Sequence, residues 1–278
     1  MKESKIRLRS GGELCYEEFG DVASPVLVLI QGTASQMTNW PAGLCFSLVD
    51  AGFRVIRFDN RDVGRSSRFP GVRYGLEDMA DDVRDLLDGL GVESAIVCGQ
   101  SMGGAVAQEF AIRHGGRCRA LVLIYTLAGP FSVSLPAYEP VSSAEDAVRR
   151  WVEMEGHTLR STIGNDPAFV WEQALLHCKR GGEDVDGLNR QRLAINTARD
   201  RSDDLRSLTV EALVIHGSED PVILPDEGAR LAELIPRTRL TVVPDMGHCV
   251  PAPVWPRLVE EITSFVSGLD DESRGSQC

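Results

Sequence analysis

The chain has 278 residues, with 29 Lys and Arg against 41 Asp and Glu and a formal net charge of −12. That acidity excludes the basic surface by which proteins hold nucleic acid or anionic membranes. The length suits one large α/β domain or two small ones, and 43% apolar with 25% charged residues is ordinary for a globular protein.

In chain order, a "SGGE" turn leads into the strand "LCYEEF", followed by "VLVLIQG", "RVIRFD", "AIVCG" and "ALVLIY". The later runs are continuously apolar rather than alternating, as in parallel strands covered on both faces. Between them, Leu76, Met79, Val83, Leu86, Leu87 and Leu90 keep helical spacing, and Gly91 supplies a stop. Strands alternating with helices predict an α/β fold with a mostly parallel, doubly wound sheet. After Tyr125 the next clear strand, "ALVIHG", begins at Ala212, far beyond what a crossover needs. The surplus predicts an inserted helical cap over residues 126–206, with 1–125 and 207–278 forming the core. Its helices are "SSAEDAVRRWV", with Val148, Trp151 and Val152 on one face, then "NDPAFVWEQALL", capped by Asp166 before Pro167, and "LNRQRLAINTA". A helix near "DEGARLAELI", the strand "RLTVV" and a helix with Leu258, Ile262 and Phe265 inward complete the core.

Seven scattered cysteines, none in CxxC spacing, fit free thiols in a reducing compartment. "MKESKIRLRS" lacks the apolar stretch of a signal peptide, and "VLVLI" is far too short to span a bilayer. A cytoplasmic protein is expected. Neither His177 with Cys178 nor His157 has partners at metal-ligand spacing, so no metal is expected.

"AIVCGQSMGGAV" carries the chemistry. "GQSMG" matches G-x-S-x-G, with Gly99, Ser101 and Gly103 in register at a strand-to-helix junction. A side chain two residues to either side of the serine would strike backbone, so glycine there leaves room for an exposed nucleophile. The following helix aims its free N–H groups and positive end at a developing oxyanion. A serine hydroxyl needs a base, and the base an orienting carboxylate, in the chain order Ser, acid, His. "SEDP" after "ALVIHG" places Asp220, and "PDMGH" after "RLTVV" places His248, both at the sheet edge where Ser101 emerges. Asp220 is preferred over Glu219 and Asp245 as the acid. The backbone N–H groups of Met102 and Thr33 are the expected oxyanion donors, Thr33 following Gly32 in the loop "QGTAS".

These motifs resemble the α/β-hydrolase fold superfamily over nearly the whole chain. "FDNRDVGRSS" resembles its D-x-R-x-x-G-x-S segment, and "HGSEDP" and "MGH" stand where that family keeps acid and base. "GELCYEEFGD", "ARDRSDDLRSL" and "IPRTRLTVVPDMGH" are similar to bacterial esterases of the aclacinomycin methylesterase type. The resemblance implies a triad of Ser101, Asp220 and His248, oxyanion donors Thr33 and Met102, no cofactor, and a pocket partly lined by residues 126–206. One departure is Gln31-Gly32, where many relatives have His-Gly. For Trp40, Trp151, Trp255 and His177 two readings stand side by side, a pocket wall or ordinary packing. The expected reaction is hydrolysis of a small lipophilic ester, with the methyl ester of a natural product among the candidates. The alternatives are cofactor-free perhydrolysis or haloperoxidase-like chemistry at the same triad, a non-hydrolytic cyclase or lyase step, or a ligand receptor on a hydrolase scaffold.

Overall fold

The protein is represented by a computed structural model that describes residues 2–130, 137–158, 163–181 and 184–275, without the side chains of 154–158 and 270–275. His157 therefore lies outside the described side chains. Among the described residues, eight strands form one sheet: β1 (Ser4–Arg7), β2 (Glu13–Phe19), β3 (Val26–Ile30), β4 (Arg54–Phe58), β5 (Ala95–Gln100), β6 (Cys118–Ile124), β7 (Ala212–Gly217) and β8 (Thr238–Val243). Their spatial order is β1-β2-β4-β3-β5-β6-β7-β8. β2 is antiparallel to both neighbours and every other pairing is parallel. β1 has little strand signal, because only Ile6 of its four residues is buried while Lys5 and Arg7 leave a short charged edge.

The helices are α1 (Ala42–Asp50), α2 (Leu76–Gly89), α3 (Met102–Arg113), α4 (Ala144–Thr158), α5 (Pro167–Lys179), α6 (Val185–Asn196), α7 (Ser202–Arg206), α8 (Pro225–Leu234) and α9 (Trp255–Gly275). Alternate strand residues feed two separate cores. Val28, Ile30, Val97 and Val214 meet α2, α3 and α8 through Val83, Phe110 and Leu231. Leu27, Leu29, Cys98 and Ile215 meet α1 and α9 through Leu48, Leu258 and Ile262. Burial on both faces is why these strands read as unbroken apolar runs. Cys15, Cys45, Cys98 and Cys118 are buried free thiols, and no helix of the described residues is long and apolar enough to cross a membrane.

Helices α4 to α7 lie between β6 and β7. Asp166 caps α5 by accepting the Ala168 N–H at 2.8 Å, and Ser143 Oγ accepts the Asp146 N–H at 3.1 Å at the start of α4. α4 and α5 share a small core of Val148, Trp151, Val170 and Ala174. The D-x-R-x-x-G-x-S segment fastens this insertion to the sheet. The buried Asp59 carboxylate accepts the Met37 N–H at 2.7 Å and the Arg65 N–H at 2.9 Å, and pairs with Arg180 at 3.0 Å. Arg190 of α6 pairs with Asp62 at 2.7 Å. Removing one partner of such a buried pair costs about 3–5 kcal/mol, because the other charge is left uncompensated.

Candidate active site

Ser101 sits between β5 and α3 with φ 53° and ψ −122°, a left-handed conformation that costs a non-glycine residue about 1–3 kcal/mol. Its flanking glycines are steric necessities. A Cβ on Gly99 would lie 2.1 Å from the Gly103 carbonyl oxygen, and one on Gly103 would lie 2.3 Å from that of Ile30. The neighbouring Gly104 makes room for Thr126, whose hydroxyl donates to the Ser101 carbonyl at 2.8 Å. The hydroxyl therefore emerges on a turn that no bulkier sequence would close.

Asp220 follows β7 and His248 follows β8, so both leave the same end of the parallel strands as Ser101. His248 Nε2 is 3.0 Å from Ser101 Oγ, and His248 Nδ1 is 2.8 Å from Asp220 Oδ2. The other carboxylate oxygen, Oδ1, accepts the N–H groups of Val222 at 2.8 Å and Ile223 at 3.0 Å. Burial pushes the Asp220 carboxyl up. Hydrogen bonds from His216, His248 and the Ile223 N–H outweigh that and hold it well below the usual carboxylate range. Of the alternative acids, Glu219 is exposed, while Asp245 has φ 59° and donates its N–H to Ser218 Oγ at 2.9 Å, shaping the loop. Chemically, the arrangement can take a proton from an alcohol and stabilise the resulting imidazolium.

A model of the alpha/beta hydrolase fold family matches residues 25–180. The chain belongs to the α/β-hydrolase fold family. It is similar to rhodomycin D methylesterase DauP of Streptomyces sp. (strain C5), 29% identical over 90% of this chain and 93% of that one. It is also similar to non-heme chloroperoxidase CPO-A1 of Kitasatospora aureofaciens, 28% identical over 86% of this chain and 90% of that one. Among solved structures, a thermophilic esterase from Thermogutta terrifontis superposes with a TM-score of 0.76 at 26% identity, covering 97% of this chain and 99% of that one.

In this α/β hydrolase, Ser101 and His248 open into a cavity of about 350 Å³. Gly32, Thr33, Trp40 and Trp151 belong to its wall, together with Tyr125, Tyr138, Phe169 and Val250. The loop of Gly32 and Thr33 passes directly beside the serine, since a Cβ on Gly32 would lie 3.2 Å from Ser101 Cβ. Met102 opens α3, so its N–H is one of the first-turn donors that have no partner inside the helix. Two residues considered for the wall lie outside it. The Trp255 indole lies against Gly43 and Phe169 and donates its N–H to the Val250 carbonyl at 3.1 Å. His177 is buried behind Trp151, ring centroids 6.3 Å apart. Among the described residues, no group of three or more His, Cys, Asp or Glu is placed to hold a metal ion.

Several residues at the site carry no motif. Tyr125, at φ 36°, lays its ring 4.6 Å from that of His248 and donates its hydroxyl to Gln100 Oε1. Gln100 Nε2 donates to Gln31 Oε1, which also accepts the Gly32 N–H at 3.0 Å. The departure at Gln31 thus tethers the loop beside the serine. Fully buried His216 donates from Nε2 to the Ile223 carbonyl at 2.9 Å, with Asp220 Oδ2 at 3.4 Å, bracing the acid from below. One sequence signal was available for His216, its position four residues before Asp220.

His177 has a consequence for stability. Burial pushes its pKa down to about 4, with the Arg180 charge assisting and Asp59 opposing. Below an ordinary pKa of about 6.5, the unfolded chain takes up a proton that the folded chain refuses until about pH 4. Stability therefore falls as pH drops through that window. Urea unfolding at pH 7 and pH 4.5 is expected to show the wild type losing about 2–3 kcal/mol more than His177→Gln. Equal losses in the two proteins would contradict a buried neutral imidazole.

Proposed function

We propose that this protein hydrolyses small, largely apolar carboxylic esters through an acyl-enzyme on Ser101. One observation carries the reading: Ser101 Oγ, His248 and Asp220 stand in one hydrogen-bonded line, at 3.0 Å and 2.8 Å, on the floor of a cavity. His248 Nε2 takes the hydroxyl proton as Oγ attacks the ester carbonyl. The N–H groups of Thr33 and Met102 hold the oxyanion, the latter at the positive end of α3. The imidazolium then protonates the alkoxy oxygen, the C–O bond breaks and the alcohol leaves. Water, deprotonated by His248, cleaves the acyl-enzyme and restores the serine.

The cavity lies at the small end of ligand pockets, which run from about 300 to 1,000 Å³. Trp40, Trp151, Phe169 and Val250 supply apolar wall, and similarity to a methylesterase supports a small alkoxy leaving group. Residues 126–206 act as the cap, set on a core of 1–125 and 207–278. The test is treatment with a fluorophosphonate probe followed by peptide mass spectrometry. A stoichiometric adduct on Ser101 is expected. An unlabelled Ser101 in folded protein would end the acyl-enzyme reading. A second reading draws on the similarity to a chloroperoxidase: hydrogen peroxide replaces water at the acyl-enzyme and releases a peracid. Peracid formation from acetate and peroxide would reveal it.

A further inference from the structure

The loop of Gly32 and Thr33 is held from two sides. The Gly32 N–H donates to Gln31 Oε1 at 3.0 Å, and the Ser35 N–H closes a turn on the Gly32 carbonyl at 3.4 Å. Within that turn the Ala34 N–H donates at 2.9 Å to Oε1 of Gln191, a residue of α6 that lies 157 positions further along the chain. Of the amides of Gly32, Thr33, Ala34 and Ser35, that of Thr33 is left without a partner among the described residues, and Thr33 lines the cavity of Ser101.

The contact from α6 is firmly seated. Gln191 is 0% exposed, and its Nε2 donates to the Arg61 carbonyl at 2.7 Å, so both ends of its amide are engaged. A backbone N–H can only donate and a carbonyl only accept, which fixes the orientation of the side chain. The adjoining Arg190 pairs with Asp62, and a Cβ on Gly187 would lie 2.8 Å from the Asp62 carbonyl oxygen. The helix thus sits against the D-x-R-x-x-G-x-S segment, and Gln191 reaches from that segment to the loop beside the serine. Ala34 needs such a hold, because it has φ 60°. As third residue of the turn from Gly32 to Ser35 it stands where a left-handed φ favours glycine. Alanine keeps that conformation only where the surrounding structure imposes it.

We infer that Gln191 is a positioning residue of the oxyanion site: by accepting from Ala34 it holds the turn that aims the Thr33 N–H at the reacting carbonyl, so the seating of α6 completes the site. This rests on the ester-hydrolase reading, with Thr33 as oxyanion donor. Reversing φ at Ala34 rotates the peptide between Thr33 and Ala34 and withdraws its N–H from Gln191. The turn is then free to drift, and an oxyanion donor acts only when it stands about 2.7–3.1 Å from the place where charge develops. That charge belongs to the transition state, so loosening the donor lowers kcat and leaves KM almost unchanged.

The experiment uses Gln191→Met, which keeps the length of the side chain and removes both hydrogen bonds, with a short p-nitrophenyl ester and with pentyl trifluoromethyl ketone. Ser101 Oγ adds to the carbonyl carbon of that ketone, its proton passes to His248, and the carbonyl oxygen becomes an alkoxide in the oxyanion site. Relative to wild type, kcat is expected to fall about ten- to a hundredfold with KM within about twofold, while Ki for the ketone rises by a similar factor. Adding Ala34→Gly, which relieves the strain of a positive φ, is expected to recover both losses severalfold. Should Gln191→Met not fold, Gln191→Asn, a methylene too short to bridge Ala34 and Arg61, takes its place with the same expectations. Unchanged kcat and Ki in the folded variant overturn the inference alone. So does a raised KM with kcat and Ki intact, or a loss that Ala34→Gly does not relieve. Wild-type protein that neither turns over the ester nor binds the ketone overturns the ester-hydrolase reading and the inference with it.

Discussion

Ser101→Ala is expected to lower kcat for a short p-nitrophenyl ester by about 10⁴- to 10⁶-fold, with KM changed only a few-fold. The size of the loss reflects the loss of covalent catalysis. Without Oγ there is no atom 3.0 Å from His248 Nε2 to attack the carbonyl, and the remaining donors stabilise only a slow attack by water. KM is spared because the walls of the cavity are untouched. The variant is expected to fold, since alanine keeps the Cβ and loses only Oγ, although it inherits the same φ of 53°. The measurement is steady-state kinetics on protein checked by circular dichroism. Activity above about one hundredth of wild type would place the nucleophile elsewhere, and the buried Cys249 thiol, which also lines the cavity, would be examined next.

Asp220→Asn is expected to reduce kcat by about 10³- to 10⁴-fold, and to lower stability because the carboxylate's hydrogen bonds with His216 and His248 are lost. The reason lies in which oxygen is pinned. Oδ1 accepts two backbone N–H groups, from Val222 and Ile223, so an asparagine must put its carbonyl oxygen there. Its NH2 then faces His248 Nδ1, where the native carboxylate accepts at 2.8 Å. A donor at that place favours the tautomer protonated on Nε2, which cannot take the serine proton. The variant also loses the negative charge that stabilises the imidazolium. Because the native carboxyl is held far below its usual range, Asp220 is expected to stay ionised throughout mildly acidic solution. Nearly full activity in Asp220→Asn would mean that another group orients the imidazole.

The strands β3 to β7 are legible as unbroken apolar runs because both their faces are covered, and α2 because its buried residues repeat at helical spacing. The turn that carries Ser101 is legible for a stricter reason. Collisions at 2.1 and 2.3 Å leave glycine as the residue that fits at Gly99 and Gly103, so a steric requirement is written in five consecutive letters. Asp220 and His248 are readable from their places after successive strands, since parallel strands must deliver their following loops to one edge. β1 is not, because a short charged edge strand owes its conformation to its neighbour rather than to its own pattern.

Membership of the cavity wall behaves differently. Trp40 and Trp255 look alike along the chain, yet one lines the cavity and the other packs against Gly43 and Phe169. The same holds for the clamp between Asp59 and Arg180 and for the relay from Tyr125 through Gln100 to Gln31. Local rules of backbone geometry and apolar periodicity act over a few residues, so turn, strand and chain order are settled near the residues concerned. Which residues line the cavity, and which donors and acceptors pair around it, depends on segments far apart in the chain that meet only when the whole sheet and its helices close around them.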